Sequence, residues 1–193
     1  MRGQRQAELL SLRLAGEPIS ALYSSDLGRA LSTAGPIASI HELPIQTSPL
    51  LREIDCGEWT GRTKEEIALQ DPLGTECYRA TPSLHRMPQG ETLAEVQDRG
   101  LRFLAMLLER HPLACVAVIS HHIVVETVLA AALGLDLGAL WLQPPGGNCF
   151  LSELELSDRG LLPVTVYDGD HLGDDQRITF EGERVGRSEE HTS

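Results

Sequence analysis

Apolar positions recur along the chain in two spacings, separated by polar punctuation. Ala7, Leu10 and Leu14 fall on one face of a helix over residues 3–14, with Leu9 beside them and Gly16 placed as its C′ residue. Residues 19–23 read as a short strand. Ser24-Ser25-Asp26 then supplies N-cap chemistry for a helix beginning near Leu27, which Pro36 is expected to kink or shorten. Residues 44–47 form another short strand, and 48–61 are dense in loop residues and charge. Thr63-Lys-Glu-Glu66 is a capping box opening a short helix. Thr92-Leu-Ala-Glu95 is a second, opening a helix to about Arg110 with Val96, Phe103, Leu104 and Leu107 facing inward and Pro112 behind it. Between them, residues 71–90 show no clear periodicity, and a loop of that length in a compact domain suits a functional lid.

The stretch that organises the rest is Leu113-Ala-Cys-Val-Ala-Val-Ile-Ser-His-His122. Its apolar, β-branched run predicts a buried strand of an α/β sheet, stopping at Ser120. A helix over 122–133 follows at once, ended by Gly134. Asp136 is placed to cap a short helix to Leu142, and residues 144–147 are a loop. Alternation over 149–156 and 161–167 predicts a hairpin turning at 157–160. From Gly173 the tail is polar and is expected to be largely disordered, so residues 1–172 form the domain and 173–193 a tail. Alternating helices and strands argue a three-layer α/β sandwich around a mostly parallel sheet. One feature is odd: the chain opens on a helix with no strand before it.

Composition narrows the class. An apolar content of 41% and a charged content of 23% are those of an ordinary globular domain, and no apolar run approaches the roughly 18 residues that span a bilayer. Four scattered cysteines (Cys56, Cys77, Cys115, Cys149) contain no C-x-x-C pair, which argues against zinc and a disulfide framework and fits reduced thiols in a cytoplasm. A formal charge of −12 argues against nucleic acid and anionic membrane surfaces, while leaving room for a small anionic substrate in a locally positive pocket.

Ligands of open α/β sheets collect at the carboxyl ends of strands. His121 and His122 stand at such an end, against the plainer alternative of a capping serine and a surface histidine pair. Arg29 sits one turn into a helix that follows a strand, where a guanidinium fork and a helix N-terminus both suit phosphate oxygens. Glu53 lies in a loop with Asp55 and Glu58, where like charges and partial burial would raise its pKa.

Several segments, in order, resemble one family. Tyr23-Ser-Ser-Asp-Leu-Gly-Arg-Ala-Leu-Ser-Thr-Ala34 looks like the Ser-x-Leu-x-Arg-Ala-x-x-Thr-Ala motif of the histidine phosphatase superfamily, the phosphoglycerate-mutase-like proteins. Leu51-Arg-Glu-Ile-Asp-Cys-Gly-Glu-Trp-Thr-Gly61 resembles its acid-bearing loop. Pro88-Gln-Gly-Glu-Thr92 with Arg99 is similar to its Pro-Gly-Glu-Ser element, and Val118-Ile-Ser-His121 to its second-histidine strand. Gly3-x-x-Gln6-Ala7 matches its first helix, and Asp168-Gly-Asp-His-Leu172 is similar to the ending of its small bacterial phosphatases. The resemblance implies a phosphoglycerate-mutase-like sandwich and hydrolysis of a small phosphorylated metabolite through a phosphohistidine, without cofactor or metal. It implies Glu53 as proton donor and His121 as the partner histidine. Arg29 would bind phosphate, and Arg52 and His122 are candidates for further substrate contact, with a structural ion pair equally open for Arg52. A homodimer is compatible with the chain. His122 stands where the family usually has glycine, and Glu126 where arginine is frequent. His171, Trp59, Glu91 and Thr92 read as structural.

The family's first strand ends in Arg-His-Gly, which carries the nucleophile, and that tripeptide occurs nowhere in the 193 residues. The expectation is therefore a start upstream of Met1, with a phosphate-binding but catalytically silent protein or fragment as the alternative.

Overall fold

β1 (Ile19–Ser24) is the centre on which the other elements stack. A computed structural model of the protein describes residues 2–138, 147–157 and 160–173. Within β1, Ala21 to Ser24 are all buried, and alternation sends successive side chains to opposite faces. β2 (Ile45–Thr47) pairs parallel on one side of it, with Leu22 opposite Ile45. β3 (Cys115–Ile119) pairs parallel on the other, with Leu22 opposite Ala117 and Ser24 opposite Ile119.

α1 (Arg2–Leu14) and α2 (Gly28–His41) cover one face, where Leu10, Leu14, Ala34 and Ile37 close over Leu22. α5 (Leu93–Arg110) covers the other, with Phe103 and Leu107 against Ala21 and Tyr23. Tyr23 and Phe103 meet edge to face at 5.6 Å. α6 (His122–Leu133) lies alongside α5 and ends at Gly134 in the left-handed conformation (φ 66°). The result is the α/β/α sandwich that the alternation predicts.

The sheet differs from expectation in being divided. β4 (Leu151–Ser157) and β5 (Gly160–Asp168) form a separate antiparallel pair beside the three parallel strands. β3 was expected to be buried, yet Cys115 is exposed and its other residues are half-buried. The physical reason is that no described strand pairs with its outer edge, so β1 takes the buried central position.

Other departures are local. α2 continues through Pro36 to His41, because buried Ala34 and Ile37 on either side keep the helix packed despite one lost N–H. Its N-cap is Leu27, which makes no side-chain cap bond of its own; the Ser25 hydroxyl accepts the Leu27 N–H at 3.3 Å just outside the helix. The segment 71–90 holds α4 (Pro72–Ala80), started by Asp71 as N-cap and Pro72 in the first turn. Both capping boxes form as the spacing predicts, at α3 (Lys64–Gln70) and at α5. Asp136 accepts from the Gly138 N–H at 2.7 Å. The remainder of the short helix expected to Leu142, most of the 144–147 loop, the hairpin turn at 158–159 and the tail beyond 173 lie outside the described residues.

Candidate active site

Three chain segments deliver polar side chains to the carboxyl ends of the parallel strands. Ser25 follows β1 directly and is fully buried, with its N–H on the Ile119 carbonyl at 2.9 Å. Arg29 is exposed on the first turn of α2. His121, 8% exposed, is the N-cap of α6. The Arg29 Nε–H donates to His121 Nδ1 at 3.2 Å, and His121 Nε2 lies 2.9 Å from the Ser25 hydroxyl. A guanidinium only donates, so Nδ1 is unprotonated and the Nε2–H points at Ser25. Burial, then the charges of Arg29 and Arg99, push the His121 pKa down to about 4, which makes the imidazole neutral near pH 7. Ser25, read from sequence as a cap, accepts the Leu27 N–H and also fixes the tautomer of His121. Ser120 does not cap; its hydroxyl donates to the Leu51 carbonyl at 2.9 Å.

Glu53 enters on the loop after the 3₁₀ turn Pro49–Leu51. It is half-buried and its pKa is raised. Of the two causes the sequence suggests, burial is the main one and the neighbouring acids are not among the causes. Hydrogen bonds from Ile54 and Ile123 and the charges of Arg29 and Arg99 oppose the rise. Since Ile123 lies in the first turn of α6, Glu53 and His121 meet at one helix end.

Arg99 holds this loop in place, and it was not among the site residues expected. It is 8% exposed and grips Glu91 with two parallel hydrogen bonds of 2.9 and 3.0 Å. Its remaining N–H groups donate to the carbonyls of Leu50 (2.8 Å), Arg52 (2.5 Å) and Glu53 (3.2 Å). Glu91 in turn accepts the Asp55 N–H at 2.9 Å. Gly57 and Gly90 allow the two loops to touch: a Cβ at Gly57, where φ is +52°, would collide with the Pro88 carbonyl, and one at Gly90 with the Asp55 carbonyl. The signal for Arg99 was present in the sequence, as a charge on the inward stripe of Val96, Gly100, Phe103 and Leu107.

Arg52 forms a two-pronged pair with Asp26 at 2.7 and 2.5 Å, which lowers the Asp26 pKa. His122 is half-buried, with Nε2 3.4 Å from Glu126 Oε1. The Tyr167 hydroxyl donates to the same oxygen at 3.2 Å. Glu126 is 4% exposed; burial, with the Glu53 charge adding, pushes its carboxyl up to about 7. Glu126 and Tyr167 were not anticipated as site residues. Trp59 is a buried packing anchor stacked on His85, and His171 faces the Cys149 carbonyl at 3.0 Å. Among the described residues no three of His, Cys, Asp and Glu converge as metal ligands, and no helix is long and apolar enough to cross a membrane.

A buried imidazole held between a guanidinium and a hydroxyl, beside a carboxyl whose pKa is raised, gives the strand ends of this α/β/α sandwich a chemistry suited to an oxyanion. The chain belongs to the histidine phosphatase superfamily (branch 1), whose sequence profile matches residues 1–169. It is 34% identical over 173 residues to phosphoserine phosphatase 1 of Hydrogenobacter thermophilus, covering 90% of this chain and 82% of that protein. It is 32% identical over 143 residues to the adenosylcobalamin/alpha-ribazole phosphatase of Escherichia coli, covering 72% and 69%. The solved structure of YhfR from Bacillus stearothermophilus superposes with a TM-score of 0.84 at 30% identity, covering 89% of this chain and 85% of that one.

Proposed function

We propose that this chain carries the phosphate-binding and proton-transfer groups of a phosphate monoester hydrolase that works through a phosphohistidine. The observation that carries this is the Ser25–His121–Arg29 line set beside Glu53 at the start of α6. Arg29 and the α6 N-terminus hold the phosphoryl oxygens, and His121, taking up a proton at Nδ1 as the dianion binds, donates to them as charge develops. A histidine nitrogen attacks phosphorus, the ester P–O bond breaks, and Glu53 gives its proton to the departing oxygen. Water then attacks phosphorus, the P–N bond breaks, and Glu53 takes the proton from that water. Burial raises the Glu53 pKa, which suits a carboxyl that gives up a proton in the first step. Arg52, still paired with Asp26, and His122 contact the organic part of a small phosphorylated metabolite. The modest 71–90 segment favours hydrolysis over transfer between positions of one substrate.

In this reading the attacking histidine belongs to the Arg-His-Gly element, which the 193 residues do not contain. The second reading is a protein that holds phosphate esters without turning them over.

The test uses protein from its native source, incubated with a ³²P-labelled monoester and quenched in alkali. A label stable in alkali and lost in acid, with release of inorganic phosphate, is the expected result. Glu53→Gln should cut release by roughly 10²–10⁴-fold. Binding without label or release supports the second reading, and release without an alkali-stable label overturns the phosphohistidine.

A further inference from the structure

Beside the phosphate-binding line stands a group that the hydrolytic steps do not use. Glu126 is buried one turn along α6 from His122 and is faced from three elements. His122 approaches from its own helix at 3.4 Å, and the Tyr167 hydroxyl from β5 at 3.2 Å. Glu53 on the acid loop is close enough for its charge to act on Glu126. Tyr167 reaches this position through a distorted strand. The pairing of β4 with β5 shifts register twice between Leu151 and Leu154, and Tyr167 has a positive φ of 55°. Its N–H is tied to the Ser152 hydroxyl at 3.1 Å. Bulges of this kind re-aim side chains, and a bulky residue at positive φ is strained. The hydroxyl is thus held on a buried carboxyl.

The charges around the site are unequal. Arg52 is neutralised by Asp26 and Arg99 by Glu91. The Arg29 charge is matched by the phosphoryl group. A second anionic group on the substrate would face the Glu126 carboxyl behind the quarter-exposed His122 side chain, and the groups bonded to that carboxyl, His122 and Tyr167, bring no fixed cation. Like charges at about 7 Å and an effective dielectric near 20 repel by roughly 2 kcal/mol, a factor of tens in affinity.

We propose that the Glu126–His122–Tyr167 wall makes the site select phosphate monoesters whose organic part is neutral or cationic and reject those carrying a second anion. This rests on the phosphomonoester reading above and narrows its substrate class. Calorimetric titration at pH 7.5 tests it with inorganic phosphate, phosphoethanolamine, glycerol 2-phosphate and 3-phosphoglycerate. Phosphoethanolamine and glycerol 2-phosphate are expected to bind at least tenfold more tightly than 3-phosphoglycerate, and Glu126→Gln should narrow the gap to about threefold. Tyr167→Phe removes a hydrogen bond that favours the ionised carboxyl and should narrow the gap as well, which covers the case of a Gln variant that does not fold. Equal affinity for all three esters, or a gap unchanged in both variants, overturns the selection while the phosphomonoester reading stands. If neither inorganic phosphate nor any ester binds, both fall.

Discussion

His121 and Glu126 are buried titratable residues with opposite pKa shifts, and each has a measurable consequence. His121 is neutral near pH 7 because burial, Arg29 and Arg99 disfavour its charge. A bound dianion reverses that balance, so binding should take up a proton. Titration with sulfate, dianionic throughout, in buffers of different ionisation enthalpy should show this uptake near pH 6, and His121→Asn should abolish it. A buffer-independent heat would contradict the placement of His121 against the oxyanion. The shifts also act on stability. Glu126 is raised from 4.5 to about 7, so its contribution is present below 4.5 and is lost as pH rises to about 7, by at most about 3 kcal/mol. His121 is lowered from 6.5 to about 4, so its contribution is present above 6.5 and is lost as pH falls toward 4. Glu126→Gln should therefore gain stability relative to the natural protein between pH 5 and pH 7.5 in urea unfolding. An unchanged difference at the two pH values would contradict the burial of an ionising carboxyl.

Elements bring these residues together, and the strength of each element can be measured. The Thr92 hydroxyl and Glu95 carboxylate close the capping box of α5, so Thr92→Ala should cost about 1 kcal/mol in urea unfolding. Arg99 on the same helix ties Glu91 to three carbonyls of the acid loop. Arg99→Met leaves a half-buried carboxylate and those carbonyls without it, and roughly 3–5 kcal/mol should be lost. A loss under 1 kcal/mol would show that the loop holds itself. Much at this scale was legible in the sequence, because caps, glycine stops and periodicity are local: both capping boxes, Gly134 and the strand before His121 follow from neighbours in the chain. Asp71-Pro72 carried a helix-start signal too, masked by the weak periodicity behind it. The contacts of Arg99 with loop 50–53 and of Tyr167 with Glu126 join residues 46–49 and 41 positions apart, and no local pattern encodes them. Arg29, Glu53 and His121 stood out through ordered motifs, since each alone reads equally well as a surface residue.

At the scale of the whole molecule, a three-stranded parallel sheet and a separate hairpin share one apolar cluster, in which Ala117, Ile119 and Leu151 pack against Leu10, Leu22 and Ile37. The outer edge of β3 pairs with no described strand, and its half-buried residues make it a template for another. The candidate groups Ser25, Arg29 and His121 follow β1 and β3 at the carboxyl ends of the sheet, and Glu53 reaches the same place on the loop after β2. The most direct test is calorimetric titration of the 193-residue chain and its Arg29→Ala variant with inorganic phosphate, with circular dichroism to verify that both are folded. Arg29 is exposed, so the variant should fold. The account predicts saturable phosphate binding that weakens at least tenfold in the variant, as the loss of a charge-assisted contact of about 1.5–3 kcal/mol requires. Equal binding by the two proteins, or none by the folded natural chain, would contradict the site.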